Sequence, residues 1–148
     1  MPILMITLQK ITVPGVPEAK PRPRVGRFKN IYTPKTKGRF EQRVAKAYVN
    51  DLLTGPVCLT LEFVFPLMKS WPKKKKLMLM GEAHCSKPDI DNLVKAAMDG
   101  MNGKAYSDDC QVVKVKATKR YANEDEEAHT DIIVSPMGKE NGLTIWTF

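Results

Sequence analysis

The sequence predicts a single α+β domain in which two main helices pack on one face of a mixed β-sheet, in the order β-α-β-α-β-β. Two observations predict it: four segments alternate polar and apolar residues as strands do, and two segments repeat apolar residues at helical spacing. A chain of 148 residues can bury about two-thirds of its unfolded surface in one core. We therefore expect one domain over residues 1–148.

The first half of the chain supplies a strand, a helix and a second strand. "ILMITLQKITVPG" alternates as a strand does and ends at Pro14 and Gly15. Residues 38–53 have helical spacing. Their apolar stripe consists of Phe40, Val44, Ala47, Tyr48 and Leu52. "VCLTLEFVF", residues 57–65, alternates cleanly and predicts a strand whose odd-numbered residues face inward.

The second half supplies a helix and two strands. The helix runs from Ile90 or Asp91 to about Met101, and "QVVKVKATKRYA" and "HTDIIVSP" read as an antiparallel hairpin across the acidic turn "NEDEEA". One face of the sheet should be polar. The inward residues are predicted as Val113, Val115 and Ala117, and the outward residues as Lys114, Lys116 and Thr118. A short helix over Lys73 to Met80 and a C-terminal strand or arm complete the prediction.

Positive charge is concentrated in the first third of the chain. Residues 1–50 hold eleven lysines and arginines against two acidic residues. Prolines at 17, 21, 23 and 34 exclude regular structure from the long basic loop over residues 20–39. We expect this region to bind a polyanion, although a merely solubilising surface is the alternative. The residues that could make this contact, and that would bind DNA if the polyanion is DNA, are Lys20, Arg22, Arg24, Arg27, Lys29, Lys35, Lys37, Arg39, Arg43 and Lys46.

The composition also bears on the compartment. Cys58, Cys85 and Cys110 are odd in number and lack C-x-x-C spacing, which predicts free thiols in a reducing compartment. No apolar run approaches the roughly 18 residues of a membrane span, and no signal peptide pattern is present. We expect a cytoplasmic protein with neither a membrane partner nor a nucleotide cofactor.

Carboxylates are concentrated in "SKPDIDNLVKAAMDGMNGKAYSDD", residues 86–109. If the backbone is extended at Asp89 and Asp91, their side chains point the same way, and two such carboxylates repel each other unless a cation lies between them. Hard oxygen ligands suit Mg²⁺ or Mn²⁺. A helix running away and a strand running back could return Asp109 or Asp108 to the same site.

Several side chains near this stretch are additional candidates. Lys95 and Asp99 follow Asp91 at helical spacing, so Lys95 could pair with Asp91 or reach a phosphate. His84 could be an outer-shell group or a proton donor. The alternative is structural throughout: aspartates as helix caps, surface pairs or turn residues, and His84 as a structural or solvated histidine.

The segment "KPDIDNLVKAAMDGMNGKAYSDDCQV", from Lys87 to Val112, resembles the signature of the RusA-type Holliday-junction resolvases. It contains K-P-D-x-D-N-L-x-K, an aspartate in mid-helix, and D-D-x-Q-V. The N-terminal "PEAKPRPRVGR" and the H-x-x-K-P-D approach extend the resemblance over most of the chain. These proteins are divalent-metal-dependent crossover junction endodeoxyribonucleases of bacteria and their prophages.

The resemblance implies that Asp89, Asp91 and Asp109 are catalytic carboxylates binding Mg²⁺ or Mn²⁺, and that Lys95 is an essential active-site lysine. It also implies a homodimer that cuts four-way DNA junctions symmetrically in recombination and repair, on the DNA of a bacterial nucleoid. It gives no role to Asp99 or Asp108. The longer basic loop and the segment "SWPKKKKLMLMG" depart from the shortest members of the family.

Two other functions stay open at this point. A non-catalytic DNA-binding or architectural protein would use the aspartates only as caps and surface pairs. A metal nuclease could also act on other branched DNA, such as flaps or forks. The complete acidic set together with Lys95 favours an enzyme over the first alternative.

Overall fold

The computed structural model describes residues 8–19, 24–32, 39–140 and 143–145. They form a mixed α+β fold with one four-stranded mixed sheet and three α-helices. In chain order the elements are β1 (Gln9–Pro14), β2 (Arg24–Val25), β3 (Ile31–Tyr32), α1 (Arg39–Ala47), β4 (Val57–Phe65), α2 (Lys73–Leu79), α3 (Ile90–Met101), β5 (Val112–Tyr121), β6 (His129–Pro136), β7 (Gly138–Glu140) and β8 (Leu143–Ile145). No helix in this described part is long and apolar enough to cross a membrane.

The sheet has the strand order β1-β6-β4-β5, with β4 in the interior. β4 pairs parallel with β5 and antiparallel with β6, and β6 pairs antiparallel with β1. Parallel neighbours need a crossover connection, and here it contains α2 and α3. The crossover brings the amino end of α3 to the carboxyl end of β5, where Lys119 donates a hydrogen bond to the carbonyl of Pro88 at 2.8 Å.

α1 and α3 pack against each other and share one apolar core with one face of the sheet. Where they cross, a Cβ atom on Gly100 would lie 2.8 Å from both the carbonyl oxygen of Glu41 and the Cβ of Val44. A glycine is therefore required at this point of α3. The core includes Phe40 and Val44 of α1, Tyr48 directly after this helix, Leu93, Ala96, Ala97 and Met101 of α3, and the odd-numbered residues of β4.

The predicted hairpin between the last two long strands is wrong. β5 and β6 are separated by β4 and share no ladder. The reason is burial: β4 is almost wholly apolar, with Cys58 and Val64 as buried as the residues of its other face. Such a strand belongs in the interior of a sheet, and the connection over residues 122–128 is long enough to pass over it.

The basic loop is not irregular throughout, which corrects a second expectation. β2 and β3 pair antiparallel. Their turn is closed by the N–H of Gly26, which donates to the carbonyl of Asn30 at 2.6 Å, and Lys29 has a φ of 59°. The prolines at 23 and 34 flank this hairpin in the sequence, so they remove none of its hydrogen bonds.

The end of the first helix also differs from the predicted one. α1 ends at Ala47, and Leu52 is 44% exposed instead of joining the buried stripe. The hydroxyl of Tyr48 donates to the carbonyl of Asp51 at 2.7 Å, so the chain turns directly after the helix. At the other end of the sequence the predicted short strand is confirmed as β8, which pairs antiparallel with β7.

β5 departs from its predicted alternation. Val113 and Val115, expected to face inward, are 51% and 41% exposed. β5 is an edge strand, and its register against β4 shifts between Val57 and Cys58, which leaves Val113 as an extra residue. Val112 and Ala117 of the same strand do pack against the core. The short helix predicted over Lys73 to Met80 is confirmed as α2.

Candidate active site

Asp89 and Asp91 lie at the amino end of α3. Asp89 is the N-cap residue, with φ −71° and ψ 144°, and Asp91 is in the first turn. The unpaired N–H groups and partial positive charge of a helix amino end favour carboxylates there. The Asp89 side chain makes no capping hydrogen bond, and its ion pair with the exposed Lys87 is long, at 3.8 Å. Its oxygens therefore remain accessible to a cation.

The extended backbone assumed for both aspartates holds only for Asp89, because α3 already begins at Ile90. The start of the helix, rather than a strand-like repeat, sets the relation between the two carboxylates. Asp91 and Lys95 are exposed on α3, and among the described residues no ion pair joins them. This leaves the surface-pair interpretation of Asp91 and Lys95 without support.

Asp108 and Asp109 lie in the turn before β5, and Asp108 has a structural part. Its carboxylate accepts a hydrogen bond from the N–H of Cys110 at 3.2 Å, and the side chain of Gln111 accepts from the N–H of Asp108 at 3.2 Å. This reciprocal capping box stabilises the short 3₁₀ turn Asp109–Gln111. The hydrogen bond from Cys110 is also the main cause that lowers the pKa of the Asp108 carboxyl.

Asp109 has the opposite electrostatic character. Its pKa is raised by its hydrogen bond with Asp108, by desolvation, and by the negative charges of Asp108 and Asp99. The pKa of Tyr106 is raised as well, chiefly by burial and then by the negative charges of Asp109 and Asp99. The hydroxyl of Tyr106 donates to the carbonyl of Met98 at 2.8 Å. Asp109 thus lies beside the carboxyl end of α3 among like charges, where a cation would relieve the repulsion.

The structure separates the two acidic pairs within one chain. Asp109 interacts with Asp99, and eight residues of helix place Asp99 about 12 Å along the axis from Asp91. Within the ranges that the structure describes, no three His, Cys, Asp or Glu side chains lie close enough together to hold a metal ion. The chain alone therefore does not bring Asp109 to Asp89 and Asp91.

His84 lies inside the fold, five residues before Asp89. It is 8% exposed, its ring stacks on Phe65 at 4.1 Å between centroids, and it tilts against Tyr121 at 4.7 Å. Burial, and then the charge of Lys119, lower its pKa. The environment favours the structural interpretation of His84, which packs the segment leading to Asp89.

The basic residues divide into three groups. The hairpin residues Arg27 and Lys29, and Lys46 on α1, are exposed. Arg43 instead donates hydrogen bonds to the carbonyls of Pro14 and Val16. Lys20, Arg22, Lys35 and Lys37 lie outside the described residues, and of Arg24 and Arg39 only the backbone positions, in β2 and at the start of α1, are described.

The basic loop begins next to the acidic pair. Ala19, the residue before Lys20, lines a shallow hollow together with Lys87, Pro88, Asp89 and Asn92. The chain that carries the first basic residues therefore starts beside the Asp89 carboxylate. This juxtaposition of a basic segment and acidic ligands is what a site for a phosphodiester and a cation requires.

Sequence reasoning missed Lys119. Its ammonium donates hydrogen bonds to the carbonyls of Ser86 and Pro88, both at 2.8 Å. The sequence does contain a signal for it: Lys119 alternates in phase with Ala117 and Tyr121 and so lies on the same face of β5. Both of those residues pack against the core. A lysine in that position indicates a charged group that reaches back toward the protein.

Comparison with known proteins agrees with these features. Residues 14–134 match the family model described as endodeoxyribonuclease RusA. The chain is 35% identical over 127 residues to the uncharacterized protein YqaN of Bacillus subtilis (strain 168), a match that covers 78% of this chain and 89% of that protein. The family match includes both acidic pairs and the whole basic loop.

Proposed function

Because the chain belongs to the RusA family of endodeoxyribonucleases, we propose that it resolves four-way (Holliday) DNA junctions by paired, Mg²⁺- or Mn²⁺-dependent hydrolysis of phosphodiester bonds. The observation that carries the proposal is the position of Asp89 and Asp91 at the amino end of α3, beside the start of the basic loop. Basic residues would hold the DNA backbone without reading its sequence, and the carboxylates would hold the cation that acts on the scissile phosphodiester.

The donor set fits a hard divalent cation. Asp89 uses no oxygen as a helix cap, so its carboxylate is free to bind a cation. The pKa of Asp109 is raised by neighbouring carboxylates, and a bound cation would relieve this repulsion. We assign Asp89, Asp91 and Asp109 as its ligands. When bound, the cation supplies an activated water and stabilises the leaving oxygen.

The protein's own groups would position the DNA and complement its charge. Lys95, one turn after Asp91 and exposed, can stabilise the negative charge that develops on the phosphate, and one such preorganised group is typically worth about 3 kcal/mol. Arg27, Lys29 and Lys46 can hold the arms of the junction through phosphate contacts. Asp108 acts through the turn that it caps and orients Asp109.

We infer a homodimer from the separation of the acidic pairs. Asp89 and Asp91 lie at one end of α3 and Asp109 lies beside the other end, so one chain cannot join all three without rearrangement. Two copies related by a twofold axis can place Asp109 of one copy next to Asp89 and Asp91 of the other. Such a dimer has two equivalent sites and matches the near-twofold symmetry of a four-way junction.

The test is cleavage of a mobile synthetic four-way junction beside a matched linear duplex, with Mg²⁺ and with EDTA. The wild type should place symmetric nicks in the junction only with Mg²⁺, and Asp91→Asn should bind the junction without cutting it, because the repulsion from one carboxylate is removed. Binding that ignores both Mg²⁺ and Asp91→Asn, without any cut, would show a non-catalytic DNA-binding protein. Equal cutting of flaps or forks would show a nuclease for other branched DNA.

A further inference from the structure

A lysine on the edge strand of the sheet holds the loop that leads to the catalytic carboxylates. Lys119 aligns with Phe63 of β4 and is half-buried. Its ammonium donates to the carbonyl of Ser86 and to that of Pro88, at 2.8 Å each. Two of its three N–H groups thus bind backbone oxygens within the three residues before Asp89.

The backbone of β5 holds the first part of the same segment. The N–H of Tyr121 donates to the carbonyl of Glu82 at 2.9 Å, and the N–H of His84 donates to the carbonyl of Lys119 at 3.1 Å. This ladder runs no further than His84 among the described residues. Beyond His84 the side chain of Lys119 takes over and carries the attachment on to residues 86 and 88.

We propose that Lys119 is a positioning residue for the carboxylates of Asp89 and Asp91. It fixes the carbonyls on either side of Lys87, and so sets the place at which α3 begins and the direction of its N-cap residue. The proposal rests on the proposed metal-dependent cleavage at this site. Misplacement of a reacting group by about 1 Å can cost about 100-fold in rate, so a loop held by two charge-assisted hydrogen bonds matters directly to catalysis.

The same geometry separates this role from two others. Lys119 is not a DNA-binding residue of the exposed kind, because it is half-buried and its ammonium is directed to two carbonyls. It is also not a member of the apolar core. Replacement by Met removes the ammonium and leaves an unbranched apolar side chain that ends at the position of Cε, so the packing of the stem is largely kept. The expected effect therefore falls on kcat and on metal binding, and not on KM for DNA.

The experiment compares Lys119→Met, Lys119→Arg and the control Lys116→Met, an exposed lysine three residues earlier on β5. In the full-length protein we measure kcat and KM on the four-way junction, the Mg²⁺ concentration for half-maximal rate, and amide hydrogen exchange over residues 85–92. Lys119→Met should lower kcat about 10- to 100-fold, raise the Mg²⁺ requirement, leave KM unchanged and speed exchange in this segment. Lys119→Arg should restore most of kcat, and Lys116→Met should match the wild type.

Two results would overturn the proposal. In one, Lys119→Met matches Lys116→Met in kcat, Mg²⁺ requirement and amide exchange. In the other, Lys119→Met loses activity only through a higher KM for DNA. If Lys119→Met does not fold by circular dichroism, Lys119→Gln takes its place in the same comparison. If the wild type cuts no junction, the proposed function fails, and exchange over residues 85–92 alone decides whether Lys119 holds the segment.

Discussion

Arg120 on β5 donates two hydrogen bonds to the carboxylate of Glu126, Nη1 to Oε1 at 2.7 Å and Nη2 to Oε2 at 2.9 Å. Its Nε donates to Glu62 of β4 at 2.6 Å. One guanidinium therefore ties the edge strand to the central strand and to the acidic turn before β6. The ion pair of Arg120 and Glu126 lowers the pKa of Glu126 to about 2.

The first prediction concerns pH. Because the pKa of Glu126 is lower in the folded than in the unfolded protein, the pair stabilises the fold above about pH 4.5, and this contribution is lost as the pH falls toward about 2. Glu126→Gln should reduce the free energy of unfolding by about 1 to 2 kcal/mol at pH 7. The difference in this free energy between variant and wild type should vanish as the pH falls to about 2. Urea unfolding at several pH values measures it, with the exposed Glu127→Gln as control. A difference that stays constant with pH would contradict the prediction.

The second prediction separates the neighbouring aspartates of the turn before β5. Asp108→Ala removes the cap on the N–H of Cys110 and should lower the urea midpoint, with cleavage reduced but present. Asp109→Asn removes a proposed metal ligand, so it should abolish cleavage. It should not lower the midpoint, because the carboxylate that it removes lies among like charges. Unfolding curves and junction cleavage on both variants give the answer. Exchanged phenotypes would assign the metal to Asp108 instead.

The third prediction tests the shared site. In a homodimer whose sites combine Asp91 of one copy with Asp109 of the other, Asp91→Asn and Asp109→Asn are each inactive, because neither leaves an intact site. A mixed dimer has one site with both substitutions and one with neither. Mixing the two variants should therefore restore single nicks on the junction, with little paired cutting, as read on a denaturing gel.

The control for that mixture is a single chain carrying both substitutions, mixed with either variant. It cannot form an intact site in any dimer, so it should stay inactive. If the sites were built within one chain, no mixture of the two single variants would nick the junction. That result would remove the shared site while leaving the junction nuclease itself in place.

The fourth prediction separates basic residues that bind DNA from one that holds the fold. Arg27→Ala and Lys29→Ala, on the exposed hairpin, should each reduce the slope of log Kobs against log salt by about 0.9. Arg43→Ala removes hydrogen bonds to Pro14 and Val16, so it should lower the unfolding midpoint and leave the slope unchanged. Junction binding between 50 and 200 mM salt, with unfolding in parallel, measures both quantities. A slope reduced by Arg43→Ala alone would place the DNA elsewhere on the surface.

Local patterns were enough to predict most of the elements from the sequence. β4, α3 and α2 have strong periodicity or clear ends, and the acidic signature around Asp89 and Asp91 is a contiguous motif. The main order of strands and helices follows from such local signals. The order of strands in the sheet does not, because the insertion of β4 between β5 and β6 depends on how much of β4 is buried in the whole domain.

The candidate site was predicted as a set of residues but not as an arrangement. The sequence predicts the helix between Asp91 and Asp109, but it does not reveal that Asp109 stays beside the carboxyl end of that helix. The contacts of Lys119 depend on a loop that is 31 residues away in sequence at Pro88. Long-range relations of this kind are set by packing, which no short window of sequence contains.

The sheet order also has a consequence for how the protein is made. β1, the first strand that the structure describes, pairs with β6, so that Gln9 lies opposite Val134. Contacts between residues so far apart form slowly, because the intervening chain must first be ordered. On the ribosome, β1 has to wait until β6 has emerged. We therefore expect the domain to close in one late step, after which the carboxylates of α3 and of the turn before β5 are first held in place.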